Sequence, residues 1–412
     1  MYAFLAAPLV LLRLLGSLNI ASASYHHESP HHHGATHALR ATGPIEVTGD
    51  HEFRPPTKGQ QRGPCPGLNA LANHNYISRD GIASLLEITN AVTKVYNMEL
   101  ALGTIIAAMG VLWTGNLVTF SIGGADPRVP GLLGLLGHPQ GLDLAHNFIE
   151  SDASATRDDL FVTGDASTMN LARFEEMYNT VPENTGQTFT SDVISDWAAK
   201  RFNDSVAENP RFFYGPYTGL IARNAGILFL TRLMANHADG SIDGVLTHET
   251  LKSFFAVSGT PGNFTYKRGH ERIPDNFYRR PVPYGLVGLN LDLVHWITRN
   301  PVLGSIGGNV GTVNSFAGVD LSDPVSGLTN IPKLLESNNL ICFALEFVKL
   351  AAPSYTNNIF TTLAAPLGSL LDVINAPLLS LSCPEFGSLT QGGEPLWESL
   401  QKQFPGAEKS GM

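Results

Sequence analysis

The amino-acid sequence predicts an all-α fold, with a single multi-helix domain followed by a largely irregular C-terminal extension. Of the 412 residues, 43% are hydrophobic and only 15% are charged, which supplies a large core and argues against a mostly disordered chain. Apolar residues recur at helical spacing in many segments, whereas the alternation typical of strands is scarce. From about residue 300 the chain is rich in Gly, Ser, Asn and Leu, so we expect less regular structure there.

The chain divides into four predicted parts. Residues 1–23 are typical of a signal peptide, because an apolar run ends in the A-x-A site Ala21-Ser22-Ala23, although Arg13 interrupts the run and an uncleaved anchor helix is the alternative. Residues 24–53 form a predicted disordered leader. Six of the fourteen histidines lie between residues 26 and 37 of it, in either a solvated linker or a tract that binds Zn²⁺ or Cu²⁺. The main domain spans 54–310, and a C-terminal extension packed on it spans 311–412.

The helical segments of the main domain follow in order. Ile82–Asn97 places its apolar residues on one face of a helix. Leu100–Leu117 is almost wholly apolar, but it contains glycines and a tryptophan and lacks a basic cluster at its end, which favours a buried helix over a membrane span. Gly123–Gly141 contains six glycines and three prolines and is predicted as an irregular loop. Further helical patterns lie at 168–179, 190–207, 217–238, 247–257, 285–299, 332–351 and 359–382.

Charge and motifs exclude several classes of function. The 26 Lys+Arg against 36 Asp+Glu leave a formal charge of −10, so we expect no nucleic-acid partner, and we expect no stable membrane insertion either. The chain contains no G-x-G-x-x-G, no P-loop, no G-x-S-x-G and no C-x-x-C. One H-E-x-x-H string, His27 to His31, lies in the leader with Pro30 inside it, which opposes the helix that a zinc site of this type needs.

Cys65 lies between two prolines, in the string Pro64-Cys65-Pro66, just ahead of a predicted helix. The prolines restrict the backbone on both sides, and the helix N-terminus favours a thiolate because it lowers the pKa of a thiol. A metal ligand or a nucleophile would suit this position. From the tripeptide alone, a buried structural cysteine in a turn is an equally good interpretation.

The longer string around Cys65 resembles the heme-thiolate peroxidases of fungi, the family of chloroperoxidases and unspecific peroxygenases. After PCP come Asn73-His74-Asn75, where the family usually has N-H-G, and the triplet Arg79-Asp80-Gly81. The resemblance extends over about residues 53–405. It implies that Cys65 is the axial ligand of the iron in heme b, and that hydrogen peroxide oxidises a small organic substrate or a halide.

A second signature of the family begins at His146-Asn147. In relatives, a Glu carboxylate, the next backbone carbonyl and a Ser hydroxyl bind a divalent cation beside a heme propionate, which by position implies Glu150, Ser151 and Ser154. Oxygen ligands suit Mg²⁺ or Mn²⁺ on chemical grounds alone. Without Cys65 upstream, a solvated acidic loop would be the simpler interpretation.

Two departures from the family concern proton transfer. In relatives with a His in the second signature, that His works with a Glu on a distal helix as the acid/base that splits peroxide. Here those positions hold Ser151 and either Ala225 or Gly226. Arg223 and Asn224 are the candidate substitutes, and Glu175 or Glu176 could reach the site from a neighbouring helix. The alternative function is therefore a secreted heme-binding protein with little or no peroxide turnover.

Further features concern the scaffold and the secretion of the protein. The resemblance implies a disulfide between Cys342 and Cys383, which leaves Cys65 as the free thiol. The segment 271–281, of the form R-x-P-x-x-x-Y-R-R, resembles an ascomycete branch and is predicted to be a structural clamp. The sequons at Asn203 and Asn263 are N-glycosylation candidates and agree with a secreted, extracellular protein.

Overall fold

The structure is a computed structural model that describes residues 43–131, 139–319, 335–343, 381, 383, 390–391 and 394–407. Helices dominate these residues and strands are few and short, which confirms the predicted all-α fold. The signal peptide and residues 24–42 of the leader lie outside the described residues, as does the helical pattern at 359–380. The helices are α1 Pro66–Asn73, α2 Leu85–Tyr96, α3 Leu100–Met109, α4 Leu160–Thr163, α5 Leu171–Tyr178, α6 Ser191–Glu208, α7 Asn224–Arg232, α8 His248–Phe254, α9 Leu286–Arg299 and α10 Leu396–Gln403.

Short antiparallel strand pairs fasten loops around the helices. The strands are β1 Ile82–Ser84, β2 Thr119–Ser121, β3 Phe213–Tyr214, β4 Val257–Ser258, β5 Thr265–Tyr266, β6 Gly307–Asn309, β7 Phe316–Gly318, β8 Thr390–Gln391 and β9 Glu394–Pro395. They form the pairs β1-β2, β4-β5 and β8-β9 and the three-stranded sheet β3-β6-β7. In the first pair, Ile82 lies opposite Ser121.

The helix predicted at Ile82–Asn97 begins three residues later than expected. Ser84 caps it: its hydroxyl accepts from the Glu87 amide at 3.3 Å, and the Glu87 carboxylate accepts from the Ser84 amide at 3.4 Å. A residue at this cap has extended backbone, so Ile82 and Ala83 are free to pair with β2 as a strand. The far end stops at Asn97, in the left-handed conformation with φ 56°.

Two π-helical turns interrupt the predicted helices. One, Gly110–Thr114, follows α3, and the other, Thr218–Arg223, precedes α7. In the second turn the amides of Leu220 and Ala222 donate to carbonyls five residues back, at Gly215 and Tyr217. The apolar stretch 100–117 is thus a helix and a π turn with most side chains buried, and no helix among the described residues is long and apolar enough to cross a bilayer.

Residues 43–53 correct the predicted extent of the disordered leader. The Ile45 amide donates to the Phe277 carbonyl at 2.7 Å, and the His51 ring stacks on Tyr76 with 3.8 Å between ring centroids. The Tyr76 hydroxyl donates to the Glu46 carbonyl at 2.8 Å. This strap is held by backbone hydrogen bonds and ring stacking, neither of which leaves a hydrophobic period in the sequence.

The end of the chain also packs more firmly than its polar composition predicts. α10 buries Trp397 and Leu400, and Phe404 just beyond it lies 5.9 Å from the Phe213 ring. The Asn147 side chain donates to the Gly406 carbonyl at 2.8 Å. The C-terminal segment is therefore part of the main fold and contacts the 146–157 segment directly.

Candidate active site

A cavity of about 320 Å³ lies beside the N-terminus of α1. Its wall is contributed by the Cys65 loop, by α3, by the segment 142–157, by the second π turn with α7, and by α9. Most of the lining is aliphatic or aromatic. The polar or titratable lining residues are Cys65, Glu150, Ser151, Ser154, Arg157, Tyr217 and Arg223.

Cys65 is the N-cap of α1, with Pro66 at the first helical position. It is a free cysteine, and it lines the cavity together with both neighbouring prolines. Burial raises the pKa of its thiol, although the backbone amides of Leu68 and Gly67 and the charge of Arg157 act to lower it. The expected lowering by the helix N-terminus is therefore real but is outweighed by desolvation.

The loop before Cys65 is fixed by close packing and by one buried amide. A Cβ on Gly63 would lie 2.0 Å from the Ile122 carbonyl oxygen, so only glycine fits there. The Asn69 side chain, on α1, accepts from the Gly63 amide at 3.0 Å and donates to the Gly63 carbonyl at 2.9 Å. These contacts hold the Cys65 side chain at one place in the wall.

The backbone of the turn after α1 explains why Asn75 can stand where the family usually has the glycine of N-H-G. Asn75 has φ 58°, a left-handed conformation that glycine adopts freely and asparagine tolerates best among the other residues. His74 beside it is fully buried: Nδ1 lies 2.7 Å from the His51 carbonyl oxygen, and Nε2 accepts from the Ile273 amide at 3.2 Å. His74 is thus a structural, neutral imidazole that joins the strap, α1 and the 271–281 segment.

The second signature supplies the polar end of the cavity. Glu150, Ser151 and Ser154 all line it. The Glu150 carboxylate accepts from His146 Nδ1 at 2.7 Å through one oxygen, while its other oxygen, Oε1, and the Ser151 hydroxyl are buried without a hydrogen-bond partner. Buried polar atoms of this kind require a partner, so they indicate a ligand or ion at this point.

His146 is held in its charged form by the acids around it. Burial acts to lower its pKa, but the charge of Glu150 and its hydrogen bond, with Asp152 and Asp159, outweigh burial and raise the pKa to about 9. The Asp152 carboxyl is fully buried, and burial together with Asp159 raises its pKa well above the usual range. The Glu150 carboxylate therefore has a cationic neighbour on the side away from the cavity.

Arg223 and Asn224 make structural hydrogen bonds. Arg223 lines the cavity, but its nitrogens donate to the Ala153 and Ala198 carbonyls at 2.8 and 2.7 Å and to the Asn224 side chain. Asn224 is absent from the lining; its amide donates to the Leu220 and Leu303 carbonyls, and its oxygen accepts from the Tyr214 hydroxyl at 2.9 Å. This geometry favours a scaffold role for both over the predicted distal role.

Ala225 and Gly226, one of which the family resemblance places at the position of the distal Glu, both lie in the cavity wall. Apart from its chain neighbours and the backbone of its own helix, no atom lies within 4 Å of the position that a Cβ would take at Gly226. Glu175 and Glu176 do not replace the missing group: Glu175 accepts from the Gly262 amide, and Glu176 pairs with Lys200 at 3.0 Å. Within the described residues, Glu150 is the one carboxylate in the lining.

Three side chains at or near the site were not assigned from the sequence. Arg157 lines the cavity, and its electrostatic neighbours include both Cys65 and Glu150. Tyr217 lines it too, with its hydroxyl 2.6 Å from the Met109 sulfur. Glu271 is buried among the neighbours of Cys65. Arg157 closes the second signature and could have been noticed there, whereas Tyr217 carries no sequence signal.

The predicted disulfide, the 271–281 segment and the two sequon asparagines are not part of the cavity lining. Cys342 and Cys383 form a disulfide with 5.6 Å between their Cα atoms, and Ile341, next to it, lines the cavity. Arg279 and Arg280 of the 271–281 segment donate to backbone carbonyls of Thr93 and Ile242, as a clamp would. Asn203 and Asn263 are exposed. No cluster of three or more His, Cys, Asp or Glu placed to hold a metal occurs among the described residues.

The chain is similar to known proteins over most of its length. Residues 51–282 match the family described as "Peroxidase, family 2". The chain is 50% identical over 374 residues to the aromatic peroxidase fscJ of Fusarium equiseti, covering 88% of this chain and 85% of that protein. It is 38% identical to the dothistromin biosynthesis peroxidase dotB of Dothistroma septosporum, over 84% of this chain and 83% of that one. It is 30% identical to an aromatic peroxygenase of Cyclocybe aegerita, over 78% of each. The chain therefore belongs to peroxidase family 2, the heme-thiolate peroxidases and peroxygenases.

Proposed function

We propose that this protein is a secreted peroxidase or peroxygenase in which Cys65 is the axial ligand of heme b. Its family makes it an oxidoreductase that uses hydrogen peroxide to oxidise an organic substrate. Beyond the family's activity, we propose Cys65 as the ligand, heme b as the heme, a halide as a second substrate and an extracellular location. The observation that carries it is the free thiol of Cys65 in the wall of the cavity.

The residues present fit a heme. A porphyrin has apolar faces and a polar edge with two propionates, and the cavity has a mainly apolar lining with its cysteine, serines, glutamate and Arg157 as polar groups. Heme held by a thiolate supplies cleavage of the peroxide O–O bond and oxidation of the bound substrate. Arg157 is a buried cation in this lining and would be available to pair with a propionate.

Cys65 would bind the iron as a thiolate despite its burial. A coordinating metal deprotonates a thiol outright, because the charge of the ion outweighs the desolvation that raises the pKa of the free group. The amides of Gly67 and Leu68 would then donate to the sulfur and limit its charge. The loop before Cys65 would need no rearrangement to bind heme, since the Asn69 side chain already holds both backbone groups of Gly63.

Glu150, Ser151 and Ser154 would hold a Mg²⁺ or Mn²⁺ ion between the protein and a propionate. The unpartnered Glu150 Oε1 supplies the support, because a carboxylate oxygen is the ligand that a hard cation prefers and Glu150 belongs to the cavity lining. The ion would compensate the propionate charge. His146 holds the second carboxylate oxygen and so fixes the direction of the first.

Proton transfer is where this chain departs from its relatives. Peroxide must lose one proton, and its leaving oxygen must gain one, which in general needs a positioned acid/base. The wall at Ala225 and Gly226 offers none, and the Arg223 guanidinium is engaged by carbonyls. We infer that reaction with peroxide is slow, and that the missing carboxylate is the cause.

The extracellular location rests on three observations. Residues 1–23 have the pattern of a signal peptide. The disulfide between Cys342 and Cys383 is typical of oxidising compartments. Both sequon asparagines are exposed, so a glycan could be attached at Asn203 or Asn263. Mass spectrometry of the protein secreted by its native host would show cleavage after residue 23 and glycans at these sites, or neither.

The ferrous carbon-monoxide spectrum tests the ligand. A thiolate opposite carbon monoxide gives a red-shifted Soret band, and Cys65→Ser should abolish that band because a hydroxyl is not a thiolate. The double variant Cys342→Ser/Cys383→Ser is the matched control, since it removes two other cysteines and should keep the band. A red-shifted band that persists in Cys65→Ser would remove Cys65 as the ligand.

A further inference from the structure

Met109 brings a thioether into the wall of the cavity. It is the last residue of α3, it is buried, and it belongs to the cavity lining. Oxidants convert the thioether of methionine to a sulfoxide, so this side chain is among the more easily oxidised ones. An oxidisable side chain therefore lies in the cavity where the hydrogen peroxide used by this family would react.

The sulfur of Met109 is in contact with a hydroxyl group. Tyr217, which also lines the cavity, donates from its hydroxyl to this sulfur at 2.6 Å. Tyr217 is buried, and a thioether is a weak acceptor, so the hydroxyl has a poor partner in this state. An oxygen atom added to the sulfur would be a stronger acceptor. The hydroxyl is thus in place to bind the oxidised side chain.

The other methionines provide an internal comparison. Five methionines lie in the part of the chain that the structure describes, and each is at most 7% exposed. Met109 and Met234 line the cavity, whereas Met98, Met169 and Met177 do not. All five are similarly shielded from bulk solvent, so peroxide in solution has little reason to prefer the two in the lining. A preference for these two would come from chemistry inside the cavity.

We propose that Met109 is a modification site, which the protein's own peroxide chemistry converts to methionine sulfoxide, and that the Tyr217 hydroxyl holds the new oxygen. The inference rests on the proposed function, in which this cavity binds heme. In the net reaction the O–O bond of hydrogen peroxide breaks and an S–O bond forms. The sulfur loses two electrons, and the second peroxide oxygen leaves as water with both protons.

The modification would change the character of the cavity wall. A sulfoxide is polar and chiral, whereas the thioether that it replaces is apolar. The neighbours of Met109 in the lining include Leu102 and Ile105, which offer the new oxygen no hydrogen bond. Tyr217 would compensate its burial, so the fold tolerates an oxidised wall that binds apolar molecules less well.

Peptide mass spectrometry tests the site. Heme-loaded protein is treated with hydrogen peroxide in the absence of an organic substrate, and heme-free protein receives the same treatment. Met109 should gain one oxygen atom in the heme-loaded sample and stay unmodified in the heme-free one. Met98, Met169 and Met177 should keep their mass in both samples, because they are buried outside the cavity.

Two leucine variants assign the oxygen to its residue. Leucine has nearly the volume of methionine, so Met109→Leu should fold, and the intact protein should gain one oxygen atom fewer than the wild type. Met234→Leu is the matched control from the same lining, and it should still gain oxygen at Met109.

Tyr217→Phe tests the hydroxyl through stability. Urea midpoints are measured before and after oxidation for this variant and for the wild type. The midpoint should fall further in Tyr217→Phe, because its sulfoxide oxygen would be buried without a donor. An equal fall in both proteins would remove the role of Tyr217.

The red-shifted ferrous carbon-monoxide band separates two kinds of failure. If the wild type shows the band but Met109 gains no oxygen, the inference is wrong. Equal oxidation of all five methionines, or equal oxidation of Met109 with and without heme, would overturn it as well. A wild type without the band would instead contradict the proposed function.

Discussion

The two carboxylate oxygens of Glu150 have different surroundings. One accepts from His146, and the other is buried without a partner. Such an arrangement is costly in an empty site and favourable when a cation is bound. The residue is thus specialised for a ligand rather than for stability.

We expect Glu150→Gln to lower cation affinity by at least about tenfold, since even outer-shell partners of a metal cost 10–100-fold when they are removed. Heme retention should weaken with it, because a propionate loses its compensating charge, while the peroxide rate per bound heme stays the same. Metal analysis and heme titration give both numbers.

Two comparisons sharpen this result. Ser154→Ala should act in the same direction more weakly, because a hydroxyl is a poorer ligand than a carboxylate. Glu175→Gln should change nothing, because Glu175 contacts a backbone amide away from the cavity. If Glu150→Gln bound as much cation as the wild type, there would be no cation site at this residue.

At the scale of the element, α7 presents Ala225 and Gly226 to the cavity, and the family resemblance implies a carboxylate at one of these two positions. Gly226 is exposed to the cavity and has open space above it. Glycine is also a poor helix residue, so a longer side chain is tolerated by the backbone and gains up to about 1 kcal/mol in helix propensity.

Gly226→Glu is expected to raise the rate constant with hydrogen peroxide by about 10²-fold, the low end for one positioned proton-transfer group. Ala225→Glu is the neighbouring choice, and Ser151→His could be added to hold the new carboxylate. Stopped-flow mixing with peroxide measures the rate.

Gly226→Gln is the matched control, because it has the same length without a carboxylate and should give no gain. An equal gain in both variants would show that volume, not proton transfer, limits the reaction. A wild-type rate equal to that of relatives with the Glu would contradict the premise.

At the scale of the whole molecule, His74 joins three distant segments through one neutral ring. Burial lowers its pKa to about 4 from the ordinary 6.5 of the unfolded chain. As pH falls, the unfolded chain binds this proton first. The contribution of neutral His74 to the free energy of unfolding is therefore complete above pH 6.5, and it is lost as pH falls from 6.5 to about 4.

His74→Asn should show a shallower loss of stability over this pH range than the wild type. Urea midpoints at a series of pH values measure it. Some slope will remain, because burial also lowers the pKa of His237. Parallel slopes for variant and wild type would show that His74 is protonated equally in the folded and unfolded chain.

Much of this fold follows from short-range pattern. The helical period located α2, α6 and α9 within a few residues, and the distinctive strings around Cys65 and Glu150 identified two segments that the structure brings to one cavity. These features could be predicted because each depends on residues that are consecutive in the sequence.

Contacts between distant segments could not be predicted in the same way. Arg223 is engaged by carbonyls of Ala153 and Ala198, which no local pattern reveals. Burial raises the thiol pKa of Cys65, whereas the sequence showed only the helix N-terminus. The sequence could not predict the π turns, because a continuous apolar run is compatible both with α-helical turns and with the wider π-helical turns.

The π turn at Thr218–Arg223 has a consequence for insertions and deletions. Each added residue rotates a following helix by about 100°. The turn carries more residues than an α turn and so sets which face of α7 meets the cavity. A single-residue deletion within 218–223 would swing Ala225 and Gly226 out of the wall and bring a different set of side chains into it. The chemistry of this pocket can therefore change through the length of the chain alone, with every side chain downstream retained.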